Sequence, residues 1–168
     1  MVALIAATTS YANAFDALEE GFETRTDQRQ VLGAVYPLQG EGFTVTSLRN
    51  RAIAPITILG IRAAEVVSDW RIVDARLGRP RDPHDVPDAR STTSPFDRRT
   101  LWPGGALDVT LLFHVADCGS RGLLDGEADG PLAITVSYSI LGVSRTQTFT
   151  FRGPSVRPLI GLDCSPGS

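Results

Sequence analysis

The feature that most limits what this chain can fold into is a run of alternating side chains over residues 107–115. Asp108, Thr110 and His114 occupy one set of alternate positions, and the other set is apolar: Leu107, Val109, Leu111, Phe113 and Val115. Successive side chains of a β-strand point to opposite faces, so this pattern predicts an antiparallel strand with one buried face.

Similar apolar runs, separated by Pro and Gly, predict the other strands. They cover residues 31–36, 43–48, 53–61, 71–77, 134–140, 146–152 and 156–162. Gly142 allows residues 132–152 to form a hairpin, and residues 50–52 predict a tight turn. Residues 78–94 have several Pro and Gly residues, many charges and no apolar period, which predicts a long surface loop. Seven or eight strands at this spacing predict an all-β sandwich.

Composition limits the class of protein. A chain of 168 residues, of which 42% are hydrophobic, can bury one sizeable core, and this predicts one domain. Its net charge of −3 and pI near 5.3 argue against a nucleic-acid partner, which requires a basic surface.

The first 29 residues are predicted to form an arm outside the sandwich. An apolar run at positions 2–7 and the small-x-small pattern Ala12-Asn13-Ala14 are typical of an export signal, but no basic residue precedes them. The segment is therefore either a truncated signal or membrane anchor, or a short helical or extended arm. Asp16, Glu19 and Glu20 exclude a complete membrane span within it.

The two cysteines, Cys118 and Cys164, are far apart in the sequence. Zinc sites use about four Cys or His ligands in short paired spacings, which this chain lacks. An even cysteine count in an exported β-rich chain predicts one disulfide, and buried thiols are the alternative.

Three segments together resemble a known family. They are FTVTSLRNRAIAPITILGIR, PFDRRTLWPGGALDVTLLFHVADC and LAITVSYSILGVSRTQTFTFRGP, and their most specific parts are the turn at 50–55, Leu-x-Pro-Gly at 101–104 and Tyr-x-x-Leu-Gly-Val at 138–143. The chain is similar to uncharacterised exported immunoglobulin-like domains of high-GC Gram-positive bacteria. The resemblance implies an immunoglobulin-like antiparallel β-sandwich over residues 30–164 with a tail at 165–168, an interaction role and no catalytic residues.

Two acidic clusters are candidate metal sites. Asp125, Glu127 and Asp129 resemble the opening of a calcium loop, but position twelve is Val136 instead of a bidentate Glu, so solvated carboxylates are the favoured interpretation. The second cluster lies in the proline-containing surface loop and consists of Asp82, His84, Asp85 and Asp88. His84, His114 and Cys118 are the ligand types of a blue-copper site, but the axial methionine of such a site is missing, since Met1 is the only methionine. No cofactor is predicted.

Trp70 and Trp102 are candidate ligand-binding residues, because exposed aromatic side chains give large contact areas. The alternative is that they pack in the core or at its edge. The sequence thus predicts a non-catalytic extracellular or cell-envelope module with an unidentified protein or envelope partner, and leaves an N-terminal membrane tether open. A small-ligand binder for a glycan or peptide, stabilised by calcium, is the alternative.

Overall fold

The computed structural model describes residues 16–20, 41–65, 70–82, 86–115 and 131–152. In chain order, this part contains β1 (Leu18–Glu20), β2 (Glu41–Asn50), β3 (Ile56–Ala63), β4 (Trp70–Leu77), α1 (Val86–Thr92), β5 (Ser94–Pro95), β6 (Arg99–Leu101), β7 (Ala106–Val115), β8 (Pro131–Ile140) and β9 (Val143–Arg152). The strands predicted over 31–36 and 156–162 lie outside the described residues.

The strands form two sheets in which all pairings are antiparallel. One sheet has the order β1-β2-β7-β4-β5 and the other β6-β3-β8-β9. The neighbours β2-β7-β4 and β3-β8-β9 match the B-E-D and C-F-G strands of the immunoglobulin fold. The predicted immunoglobulin-like sandwich is therefore confirmed. The described residues contain nine strands, six that the sequence predicted and three, β1, β5 and β6, that are too short to show an alternating pattern.

The core lies between the two sheets and follows the predicted alternation. From β7 it receives Val109, Leu111 and Phe113, and all three are buried. Strand β8 contributes Ile134, Val136, Tyr138 and Ile140, while Thr135, Ser137 and Ser139 lie on its half-exposed face. This separation is what one buried face per sheet requires.

Part of the predicted N-terminal arm belongs to the sandwich. Residues 18–20 are extended, and Leu18 pairs with Asn50 at the edge of the first sheet. Leu18 is buried in the core, and its carbonyl oxygen accepts a hydrogen bond of 2.8 Å from Nε2 of Gln147 in the other sheet. This strand therefore links both sheets, and the domain begins before the predicted boundary at residue 30.

The outer face of β7 is also buried at Thr110 and Leu112, contrary to the expectation of one buried face. Helix α1 lies over it, and Ala89 packs against Phe43 and Leu112 in a second, smaller cluster. The prediction of a surface loop over residues 78–94 is therefore wrong for 86–92. This helix has seven residues and one buried alanine, so it leaves no apolar period in the sequence.

Helix α1 is held in place by Arg76 on β4. The guanidinium donates hydrogen bonds to the hydroxyl and carbonyl oxygens of Thr93, at 2.9 and 2.8 Å. Within the described residues no helix is long and apolar enough to span a membrane.

The β8–β9 hairpin closes in a two-residue turn, as predicted from Gly142. Ile140 pairs with Val143, and the intervening Leu141 and Gly142 have φ angles of 51° and 81°. Two positive φ angles define a type I′ turn, which matches the twist of the strands and favours Asn-Gly. Leucine at the first position is strained, because its Cβ crowds the backbone in this region.

Leu141→Asn is expected to raise the free energy of unfolding by about 1 kcal/mol, because asparagine tolerates the left-handed conformation. Gly142→Ala is expected to lower it by about the same amount or more, although open space surrounds this glycine. Urea denaturation of the two variants and the parent chain measures both effects. Equal stability of all three proteins would contradict the assigned turn.

Candidate functional site

The predicted disulfide and the predicted calcium loop cannot be placed on the structure. Cys118, Cys164, Asp125, Glu127 and Asp129 all lie outside the described residues. Both hypotheses stay predictions.

The second acidic cluster is only partly described, since His84 and Asp85 lie outside the described residues. The carboxylate of Asp88 accepts hydrogen bonds from the backbone amide of Asp82, at 2.8 Å, and from the hydroxyl of Thr92, at 3.3 Å. It also lies in the first turn of α1, where the helix dipole favours a negative charge. These contacts give the carboxylate a local structural role. Among the described residues there is no group of three His, Cys, Asp or Glu side chains that could hold a metal ion.

The two candidate tryptophans have opposite environments. Trp70 is 4% exposed, and its ring meets Phe113 edge to face with the centroids 5.2 Å apart. It is a core residue and offers no contact area to a ligand. Trp102, in contrast, is 70% exposed. His114 lies half-buried on the outer face of β7, opposite Glu41 and Arg71.

Trp102 is the first residue of a tight turn over residues 102–105, and the next two residues, Pro103 and Gly104, favour its conformation. The amide of Gly105 donates a hydrogen bond of 2.8 Å to the carbonyl oxygen of Trp102, which closes a four-residue turn. Pro103 is the second residue of this turn, and Gly104, with φ of 76°, is the third. Proline followed by a residue with positive φ is typical of a type II turn.

Asn50, at the end of β2, holds this turn and the next loop in place. Its side-chain amide nitrogen donates to the carbonyl oxygens of Leu101, at 2.9 Å, and Ala54, at 3.0 Å, and its Oδ1 accepts from the amide of Ala52 at 2.8 Å. Its backbone amide donates to Gly105, and its carbonyl accepts from Gly104. Asn50 is 1% exposed, so these bonds are shielded from water. The predicted tight turn at 50–52 is thus an Asx turn with long-range contacts.

A third loop lies at the same end of the sandwich. Ile56, the first residue of β3, pairs with Leu101 on one side and with Ile140 on the other. The turn at 141–142 therefore lies on the same side of the domain as residues 51–55 and 102–105. We call these three loops together the loop end.

The loop end exposes three large apolar side chains. Ile53 is 81% exposed, Trp102 is 70% exposed and Leu141 is 49% exposed. Arg51 is the one charged residue in the three loops, and its Nε lies 3.0 Å from Oε2 of Glu19 on β1. The sequence pattern indicated Trp102 as a candidate binding residue, but neither Ile53 nor Leu141. The signal for Leu141 in the sequence is an apolar residue within a predicted turn, where polar residues are the usual choice. The sequence predicts that Ile53 begins the strand over 53–61, which is wrong for 53–55, because β3 begins at Ile56.

No protein-family model and no curated protein sequence matches this chain. Among the solved structures that resemble it at low identity are the following three. The PapD-like domain 7 of human CEP192 is 11% identical with a TM-score of 0.36, over 80% of this chain and 92% of that one. The GAE domain of GGA2p from Saccharomyces cerevisiae is 12% identical with a TM-score of 0.33, over 83% and 86%. A FixG-related protein from Vibrio parahaemolyticus is 9% identical with a TM-score of 0.32, over 82% and 97%. Likenesses at this level carry no inference about function.

Replacing Asn50 should disrupt the loop end. Asn50→Asp exchanges the donor amide for an oxygen that faces the carbonyls of Ala54 and Leu101 in a buried site, and should cost about 3–5 kcal/mol of stability. Asn50→Ala removes the same bonds without adding charge and should cost about 2–3 kcal/mol. Thermal and urea unfolding measure both.

Thr57→Ala is the control, because it removes an exposed hydroxyl that contacts Thr100 at 3.2 Å. It should lower stability by about 1 kcal/mol or less, because it removes one exposed cross-strand pair. An Asn50→Asp variant as stable as this control would contradict the role given to Asn50.

Proposed function

We propose that this protein is a non-catalytic interaction module of the cell envelope, exported from the cell, and that it contacts its partner through the loop end. The observation that carries the proposal is the exposure of Ile53, Trp102 and Leu141 on three adjacent loops. Single exposed apolar side chains are ordinary on a protein surface, but a group of them at one site is typical of a binding surface.

The hydrogen bonds beneath these side chains support the proposal. Binding costs conformational entropy when loops must become ordered, and a preorganised surface avoids part of this cost. Asn50 connects loops 51–55 and 102–105 through buried bonds, so Ile53 and Trp102 are held in position before a partner arrives. Exposed tryptophan is among the residues that contribute most at interfaces.

The roles of polar groups elsewhere favour a non-catalytic module. Asp88 supports the segment around α1, and Asp108 accepts hydrogen bonds of 2.7 and 3.3 Å from the guanidinium of Arg79. A catalytic carboxylate must instead face a cleft in which it can reach a substrate.

Export is supported by the sequence. The apolar run at 2–7, the Ala12-Asn13-Ala14 pattern and the two cysteines are typical of a chain that enters an oxidising compartment. The resemblance to exported immunoglobulin-like domains points in the same direction.

The interaction is tested by immobilising the full chain and passing over it the envelope fraction of the organism that encodes it. The parent chain should retain an envelope component that the double variant Ile53→Ser, Trp102→Ser retains at least about tenfold more weakly, because the main contact area is lost. Val73→Ser is the matched control, since Val73 is exposed in a β-bulge of β4 away from the loop end. Equal retention by all three proteins would count against the loop end as the contact surface.

Export and the disulfide are tested together on protein purified from the native envelope fraction. Alkylation without reduction, followed by intact-mass measurement, should leave the chain unmodified, because Cys118 and Cys164 are expected to be bonded. After reduction, both cysteines should react. Two alkylated thiols in the non-reduced sample would remove the disulfide hypothesis, and recovery of the chain only from the cytoplasm would remove export.

A further inference from the structure

We propose that the partner of the loop end is a lipid bilayer, into whose interfacial layer Ile53, Trp102 and Leu141 insert. This inference rests on the proposed function, for which it names the partner. The protein would then lie with the loop end on the membrane surface and the long axis of the sandwich pointing away from it.

The first argument is the place where the N-terminal segment joins the sandwich. Leu18 pairs with Asn50, and the amide of Arg51 donates a hydrogen bond of 3.0 Å to the carbonyl oxygen of Ala17. Strand β1 therefore begins at the loop end, and residues 1–15 are attached to the domain on that side.

The segment attached at this point contains an apolar run that a membrane could hold. Positions 2–7 are Val-Ala-Leu-Ile-Ala-Ala, and residues 8–15 separate them from Asp16. Eight residues span at most roughly 30 Å. In a chain that keeps this segment uncleaved at Ala12-Asn13-Ala14, a bilayer that holds the apolar run is within reach of the loop end. A run attached at the opposite end would keep the loops away from the membrane.

The second argument is the chemistry of the three loops. Their sequences are RAIAP, WPGG and LG, without a carboxylate, although the chain has 19 acidic residues. Tryptophan is enriched at membrane interfaces, where its ring lies among the headgroups, and isoleucine and leucine enter the acyl region favourably. Two carboxylates stand beside the loops at the start of β1: that of exposed Asp16, and that of Glu19, whose Oε2 lies 3.0 Å from Nε of Arg51. These charged groups belong in the headgroup layer, so insertion is limited to the three apolar side chains.

The third argument is the shape of the surface. At 81% and 70% exposure, Ile53 and Trp102 stand out from the domain. Projecting side chains enter a fluid layer without a complementary groove. A single short apolar anchor gives only marginal membrane binding, and a second contact makes it stable. The loop end would supply that second contact next to the N-terminal run.

Tryptophan fluorescence tests the proposal directly, because the chain has two tryptophans and one of them, Trp70, is buried. The full chain is mixed with phosphatidylcholine vesicles, with and without phosphatidylglycerol. Emission should shift to shorter wavelength, and lipids brominated in the acyl chain should quench it. In Trp102→Phe, where Trp70 is the remaining tryptophan, neither change should occur.

Vesicle sedimentation measures the contribution of each side chain. Ile53→Ser should lower the partition coefficient about tenfold, and Leu141→Ser should lower it several-fold. Leu59→Ser is the matched control for Leu141→Ser, since Leu59 is 37% exposed but lies within β3, away from the three loops. Thermal unfolding confirms that each variant is folded.

Three results would overturn the proposal. One is the absence of binding to either vesicle. Another is binding without quenching of Trp102, which would mean that the N-terminal segment alone holds the membrane. The third is binding that Ile53→Ser leaves unchanged.

The outcomes also separate this inference from the proposed function. If vesicles fail to bind while retention of an envelope component still depends on Ile53 and Trp102, the interaction role stands and the partner is a protein or glycan. Self-association of the chain that Trp102→Ser abolishes would instead identify a second copy as the partner.

Discussion

The hydrogen bonds of the buried Asn50 side chain hold two of the three loops at the loop end in place. Asn50 satisfies the carbonyls of Ala54 and Leu101 and the amide of Ala52, while its backbone bonds reach the turn after Leu101. Buried backbone groups outside regular structure cost free energy unless they are paired. Asn50 supplies these pairs where the chain passes from β2 to β3 and from β6 to β7, so both crossings can be tight.

The same device explains why the loop end can be apolar on its surface. Loops 51–55 and 102–105 are ordered by the polar bonds of Asn50 and by burial of the small side chains of Ala52 and Ala54, while Ile53 and Trp102 remain outside. Most proteins place polar residues at such positions. The fold does not require apolar residues at these exposed positions, so we attribute them to contact with a partner. The N-terminal segment joins the domain at this end, and for that reason we propose a bilayer as the partner.

Strand β7 shows how a sandwich can carry a third layer. Its inner residues fill the core, while Leu112 on its outer face is buried against Ala89 of α1. Arg76 ties the end of this helix to β4. Helix α1 thus covers apolar side chains on the outer face of this sheet. At the loop end, in contrast, apolar side chains of three adjacent loops remain exposed.

The sequence by itself determined the six long strands of the described sandwich but not the short strands β1, β5 and β6. Alternation over β7 and β8 follows directly from the geometry of a half-buried strand. The sequence also located the hairpin at Gly142 and the turn at Asn50. It did not reveal α1, since one buried alanine leaves no period, nor could it assign Leu18 to the core. Only the tertiary structure decided that Trp70 is buried and Trp102 exposed, and that Ile53 and Leu141 lie at the same end of the domain. Exposure and proximity depend on which strands become neighbours, and pairings between residues distant in sequence leave no local pattern.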